Sequence, residues 1–124
     1  MKYVNLTPHK IVVVKNECPN KVNSEKDIEP YVIAQFPPND TVARVQTKRV
    51  KVSEIDGIPV YRTFFGEVEN LPAPEKDTIY IVSILVLQAV KGKRTDVICP
   101  DTTPPSAVRD SQGKIVAVKG FQTI

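Results

Sequence analysis

The chain has 124 residues, of which 41% are hydrophobic and 25% charged, with a formal net charge of +3. This length predicts one domain, residues 1–124, and the absence of both a long apolar run and a signal-peptide-like start predicts a cytoplasmic protein with no membrane partner. The positive charge is too mild and too scattered to predict binding to polymeric nucleic acid, but it suits a small anionic ligand.

The first half of the chain has the composition of strands separated by turns. The dipeptide Asp56-Gly57 is the strongest short hairpin signal in the chain. The polar segment 17–30 is predicted to be a long loop or an inserted excursion. Strands are predicted at 2–6, 10–15, 31–36, 41–46, 49–55 and 58–65.

The second half contains a loop, a strand–helix–strand unit and a second hairpin. Residues 84–90 are apolar nearly all round, but Ser83 can cap a helix there and Gly92 can close it. The turn at 111–113 predicts a hairpin. The loop is placed at 66–77, and the strands at 78–83, 96–100, 107–110 and 114–121. The class predicted is therefore α+β, mostly antiparallel sheet with one or two short helices.

The chain lacks the residues that several kinds of catalytic and binding site require. His9 is the only histidine, and Cys18 and Cys99 do not form a CxxC pair, so neither a zinc site nor a nucleophilic triad is predicted. No glycine-rich phosphate-binding motif occurs. We predict no cofactor and no metal. Asp96 and Asp101 leave one alternative open, because two carboxylates could hold Mg²⁺ or act as acid and base.

Residues 94–110 concentrate polar side chains that could bind a nucleotide-like ligand. Guanidinium groups bind phosphate in a bidentate way, and carboxylates accept hydrogen bonds from ribose hydroxyls. Pro104 and Pro105 restrict the backbone, which lowers the entropy cost of ordering it around a ligand. Phe64 and Phe65 are adjacent in a predicted strand, so one of them can be exposed for stacking. Composition alone leaves an ordinary surface turn equally open for 94–110.

Several segments resemble a known family of small phage proteins. They are NLTPHKIVV (5–13), TVARV (41–45), GIPVYRTFFGEVENLPAPEKDTIYIVS (57–83) and KRTDVICPDTTPPSAVRDSQGKIVAVKGFQ (93–122). Together they are similar to the first-described Thoeris anti-defence family, the cyclic-ADP-ribose sponges of phages. The similarity is weakest through 17–40. The segment after PDT also carries a bulkier residue than the glycine expected there.

The resemblance implies a binding protein in the cytoplasm of the infected bacterium, without enzyme activity. In Thoeris immunity a TIR-domain protein converts NAD⁺ into a cyclic ADP-ribose isomer, which activates an NAD-depleting effector. The family binds that signal without degrading it. Its members are homodimers or larger homo-oligomers with ligand pockets at the dimer interface, and some also bind the cyclic oligonucleotides of CBASS immunity.

The resemblance also implies ligand-binding residues, with Arg109 as the leading phosphate ligand. Asn5, Thr7 and His9 are expected to form a pocket wall if their bend meets the C-terminal loop. The other expected contacts are Arg94, Asp101, Thr102, Thr103 and Phe65. Two alternatives stay open: a metal-dependent enzyme that degrades a nucleotide signal, and a phage structural protein with no small ligand.

Overall fold

The computed structural model describes all 124 residues, which form ten strands, one α-helix and one 3-10 helix. The helix α1 spans Ile84–Ala89, and the 3-10 helix spans Glu25–Tyr31. The strands are β1 Lys2–Asn5, β2 Ile11–Val14, β3 Val32–Phe36, β4 Arg44–Ile55, β5 Ile58–Glu69, β6 Thr78–Ile81, β7 Val97–Pro100, β8 Val108–Arg109, β9 Ile115–Ala117 and β10 Phe121–Gln122.

The largest sheet has the strand order β1-β6-β7-β10. Strands β1 and β7 both run parallel to β6, whereas β10 is antiparallel to β7. Parallel neighbours require a crossover connection, and α1 supplies it between β6 and β7. The Ser83 hydroxyl accepts a hydrogen bond from the Val86 backbone N–H at 3.4 Å, and Gly92 has a φ of 77°. The predicted strand–helix–strand unit is therefore confirmed.

The other strands form three antiparallel pairs, β2–β3, β4–β5 and β8–β9. The α+β class with mostly antiparallel pairing and two short helices is thus confirmed. Part of segment 17–30, predicted as a loop, is the 3-10 helix, where the Asp27 carboxylate accepts hydrogen bonds from the backbone N–H groups of Asn23 and Ser24. Neither helix is long and apolar enough to cross a bilayer.

Buried side chains form three clusters. The first lies between α1 and the largest sheet and includes Leu6, Val82 and Val97, each no more than 2% exposed. Removing such a side chain from water contributes roughly 1.5–3 kcal/mol. The second joins β2 and β8 to the 3-10 helix, and the third lies around Ile81 and Val118. Cys18 and Cys99 are free thiols, and both belong to the cores.

The hairpin β4–β5 differs from the rest of the fold because most of it lies outside the cores. Its base packs through Val45 and Val68 against the first cluster. Residues 47–65, which we call the arm, are exposed except for the half-buried Val50 and Val60. At its tip Asp56 and Gly57 have φ values of 51° and 79°, the positive values that a two-residue hairpin turn of this type requires.

The arm also corrects two boundaries predicted from sequence. The predicted strands 41–46 and 49–55 are one continuous strand, Arg44–Ile55, and the strand predicted at 58–65 continues to Glu69. Cross-strand pairing along the hairpin outweighs the polar stretch at 46–49, because the strand continues through it with one register shift, between Val45 and Thr47.

Candidate functional site

The loop between β7 and β8 is held in shape by its own polar side chains. Asp101 accepts hydrogen bonds from the Thr103 backbone N–H at 3.1 Å and from the Thr103 hydroxyl at 2.6 Å. The Thr103 carbonyl then accepts from the N–H groups of Ser106 and Ala107, closing a turn over the two prolines. This loop is therefore preorganised, which lowers the cost of ordering it around a ligand.

Segment 20–22 lies beside β8 and forms a second wall. The Arg109 N–H donates to the Asn20 carbonyl, and the Val22 N–H donates to the Arg109 carbonyl, each at 2.9 Å. The Asn20 side-chain amide lies within 3.0–3.2 Å of three carbonyl oxygens of the opposite loop, those of Pro104, Pro105 and Ala107. A single asparagine thus joins the 17–30 segment to the 99–114 loop.

A groove of about 610 Å³ lies between these two walls. Its volume is in the range of small-molecule sites, and its lining is mostly polar. Lys21 and Arg109 contribute positive charge, and Asp110 contributes one negative charge. The lining residues are Asn20, Lys21, Val22, Asn23, Thr102, Pro104, Ala107, Arg109, Asp110, Ser111 and Gly113. The net positive charge of this lining favours an anionic ligand.

Arg109 is the residue in the groove best suited to bind an anion. Its Nη1 donates to the Gly113 carbonyl at 2.7 Å, which fixes the side chain, while Nε and Nη2 form no hydrogen bond within the chain. It has no carboxylate partner, because both ion pairs of the chain lie elsewhere. The nearby Asp110 carboxylate accepts from the N–H groups of Gln112 and Lys114 in the hairpin turn. A positioned guanidinium with unused donors can hold a phosphate.

The structure brings only some of the predicted site residues to this groove. Arg109 and Thr102 line it. Asp101 and Thr103 stand in the adjoining loop, where they bond to each other and shape its turn. Phe65 lies on β5 in the arm, exposed but not among the lining residues.

Arg94 is placed outside the groove and has a partner of its own. Its Nε and Nη2 each lie 2.8 Å from an Asp96 carboxylate oxygen, and Nη2 also donates to the Pro72 carbonyl. The hydrogen bonds from Arg94 hold the pKa of Asp96 below its ordinary value. The same contacts occupy a carboxylate that the metal-enzyme alternative would need, and no three His, Cys, Asp or Glu side chains come together in the chain.

Asn5, Thr7 and His9 form a network of their own in the N-terminal bend. The Asn5 amide donates to the carbonyls of His9 and Phe36 at 2.8 and 2.9 Å, and its oxygen accepts from the Thr7 N–H and hydroxyl. Asn5 and Thr7 are buried, whereas the His9 side chain is exposed. None of the three lines the groove, because the bend meets the 36–43 segment rather than the C-terminal loop.

The groove also contains residues that sequence reasoning did not single out. Asn20, Lys21 and Asn23 all belong to the 17–30 segment. The long-range pairing of Lys21 with Arg109 and the Asn20 amide bonds to the 104–107 carbonyls place them there. Three residues of a polar loop carry no pattern that predicts such a partner 88 positions later, so no signal in the sequence would have found them.

Comparison of the chain with protein-family models, with curated proteins and with solved structures finds no match in any of the three.

Proposed function

We propose that this protein is a phage anti-defence sponge that binds and sequesters a TIR-derived cyclic ADP-ribose isomer in the Arg109 groove. The observation that carries the proposal is the Arg109 guanidinium, fixed by the Gly113 carbonyl and free to bind an anion inside a groove of about 610 Å³. The sequence resemblance supplies the identity of the ligand, and the groove supplies a site of matching size and charge.

Cyclic ADP-ribose carries a diphosphate, ribose hydroxyls and an adenine base, and the groove offers counterparts to the first two. Arg109 and Lys21 are suited to the diphosphate, since both present N–H donors with positive charge. Hydroxyl and amide groups of Thr102, Ser111 and Asn23 are suited to the ribose hydroxyls. A stacking partner for the adenine would have to come from outside the groove, because no aromatic side chain lines it.

Sequestration requires tight binding and no chemical step. A sponge that holds a signal below its effector's threshold needs a Kd near 1 nM, about −12 kcal/mol. Homo-oligomers, which the resemblance implies, would add a second chain to the site and enclose the ligand further. The same protein would act in the cytoplasm of the infected bacterium, and cyclic oligonucleotides of CBASS immunity are a second ligand class to examine.

The test is to bind the ligand and recover it. The protein is incubated with each cyclic ADP-ribose isomer, washed free of unbound nucleotide and heated until it denatures, and the supernatant is chromatographed. We expect one isomer to return intact in stoichiometric amount. Multiple turnovers to a new product would show an enzyme instead, and failure to retain any signal nucleotide would favour a structural phage protein.

A further inference from the structure

The middle of the arm concentrates basic and aromatic side chains. The segments 47–51 and 61–65 pair with each other, and together they hold four basic residues, three aromatic residues and no acidic one. All seven side chains are exposed, namely Lys48, Arg49, Lys51, Tyr61, Arg62, Phe64 and Phe65. Outside the arm, Tyr3 is the one other exposed aromatic residue. The hairpin therefore brings together groups that the sequence keeps in two separate runs.

The strand register interleaves the two kinds of side chain. Lys48 lies directly opposite Phe64, and Lys51 lies directly opposite Tyr61. Successive side chains of a strand point to opposite sides of the ribbon, so both sides carry basic and aromatic groups. One side has Lys48, Val50, Arg62 and Phe64, and the other has Arg49, Lys51, Tyr61 and Phe65. We call the second of these the Tyr61 side.

The Tyr61 side offers two places where a planar base can stack. The Arg49 guanidinium lies over the Tyr61 ring, 4.0 Å from its centroid, which holds the guanidinium flat against the ring. Arg49 is exposed, so a base can stack on its outer plane. Phe65 is 38% exposed and lies four residues further along the same strand, about 14 Å away. It supplies a second ring.

The charges around these rings suit a phosphate backbone. Lys51 forms an ion pair with Glu54 at 3.0 Å, and the other three basic residues of the arm form none with a carboxylate. The net charge of the whole chain is only +3, so four cations without an intervening carboxylate make the middle of the arm a local centre of positive potential. A polyanion with accessible bases would complement both features.

We propose that the arm binds single-stranded nucleic acid, with bases stacked on the Tyr61 side and phosphates held by the surrounding lysine and arginine side chains. Basic residues combined with aromatic side chains are the usual means of binding single strands without sequence preference. The major groove of duplex DNA also admits a two-stranded ribbon. In a duplex, however, the bases already stack on each other, so Tyr61 and Phe65 would find no free base face.

Fluorescence anisotropy tests this proposal, which goes beyond the proposed function and does not rest on it. The probes are labelled oligo-dT and oligo-U of about 20 nucleotides, longer than the roughly 4–16 nucleotides that one single-strand-binding fold covers, and a DNA duplex of equal length. Wild type, freed of copurified nucleic acid, should bind the single strands with a Kd on the order of 1–100 µM and more tightly than the duplex. The ratio of the two single-strand affinities shows whether DNA or RNA is preferred.

Two variants separate stacking from charge. Tyr61→Leu removes the ring but keeps an apolar side chain, and it should weaken single-strand binding at least fivefold without changing the salt dependence. Lys48→Gln/Arg62→Gln removes two cations. It should reduce the slope of log K against log salt by about 1.4, since each phosphate contact contributes roughly 0.7.

Each variant has a matched control outside the arm. Tyr3→Leu removes the exposed ring on β1, and it should bind the single strands as wild type does. Lys91→Gln/Lys93→Gln removes two exposed charges that follow α1, and it should retain the wild-type salt slope. Far-ultraviolet circular dichroism verifies that all four variants are folded.

Several results would overturn the proposal. They are no binding of either single strand over the stated range, tighter binding of the duplex, and a Tyr61→Leu variant that binds as tightly as wild type. Flotation of wild type with vesicles of anionic lipid, without binding to either oligonucleotide, would also overturn it, because the arm would then be a membrane contact.

Competition distinguishes the arm from the groove. Excess cyclic ADP-ribose should not displace the labelled oligonucleotide, because the arm does not line the groove. Displacement would place the strand in the groove and overturn the assignment to the arm. A protein that binds single strands but no cyclic nucleotide leaves this inference standing while the proposed function fails, and one that binds only the cyclic nucleotide does the reverse.

Discussion

Arg109 and Arg94 are the same residue type in opposite surroundings. Arg94 is bonded through two nitrogens to Asp96 and to the Pro72 carbonyl, so its charge is neutralised and its side chain serves the fold. Arg109 gives one hydrogen bond to the Gly113 carbonyl, lines the groove and forms no ion pair with a carboxylate. The sequence makes both arginines candidates for phosphate binding, and only their partners tell them apart.

Replacing Arg109 by alanine should weaken binding of the cyclic ADP-ribose isomer without unfolding the protein. The loss of a charge-assisted phosphate contact corresponds to about 2–3 kcal/mol, or roughly 30- to 150-fold in Kd. Isothermal titration calorimetry measures the change. Arg44→Ala is the matched control, because it removes one exposed positive charge from the base of the hairpin, outside the groove. Unchanged affinity in Arg109→Ala would remove this residue from the proposed site.

Replacing Arg94 by methionine should destabilise the protein at neutral pH by about 1–3 kcal/mol, because it leaves the Asp96 carboxylate, which is 16% exposed, without its hydrogen-bond partner. The pKa of Asp96 is lowered in the folded state, so the pair stabilises the fold above the unfolded pKa of about 3.9. That contribution is lost as pH falls through the lower folded pKa.

Urea unfolding of wild type and Arg94→Met across the acid range measures this pH dependence. The difference in unfolding free energy should shrink as the pH falls below about 4. Lys51→Met is the matched control, since the Lys51–Glu54 pair is half exposed and should contribute less than about 0.5 kcal/mol. A difference that stays constant with pH would show that Arg94 stabilises by packing rather than through Asp96.

At the scale of whole elements, local signals were predictive and long-range pairings were not. Ser83 and Gly92 predict helix α1, and Asp56-Gly57 predicts the turn of the arm. Each of these signals acts on residues that are close to it in the sequence. The pairing of Lys21 with Arg109 depends on residues far apart in the chain. The 99–114 loop was therefore predictable as a binding candidate, whereas the wall opposite it was not.

That opposite wall depends on Asn20, so Asn20→Ala should loosen the groove. Loss of its amide bonds to the 104–107 carbonyls should cost about 1 kcal/mol and lower Tm by roughly 4 °C. Amide hydrogen exchange should quicken at Arg109 and Val22, whose backbone N–H groups donate across the same junction. Asn23→Ala is the control, since its side chain lines the groove but makes no hydrogen bond.

An exchange rate raised equally throughout the protein would contradict this view of Asn20. It would show a general loss of stability rather than local opening of the groove, because local opening leaves the amides of the largest sheet protected from exchange. The amides of β6 and β7, which belong to the largest sheet, provide that internal reference.

At the scale of the whole molecule, the Arg109 groove and the arm are separate parts of the surface. The three core clusters hold the small sheets together and leave the Arg109 groove and the arm outside the cores. The Arg109 guanidinium in the groove has no carboxylate partner, and the arm exposes Ile55, Ile58 and Phe64. A variant of the arm should therefore leave ligand binding in the groove largely intact.

Ligand-induced stabilisation tests that separation. A nucleotide at about 100 times its Kd should stabilise the folded protein by about 2.7 kcal/mol, which for a domain of this size raises Tm by roughly 10 °C. The shift should be lost in Arg109→Ala at the same nucleotide concentration. It should persist, at least in part, in Ile58→Ser/Phe64→Ser, because the arm does not line the groove. Complete loss of the shift in the arm variant would instead mean that the ligand site is assembled only in the dimer, and binding and self-association would then be one function.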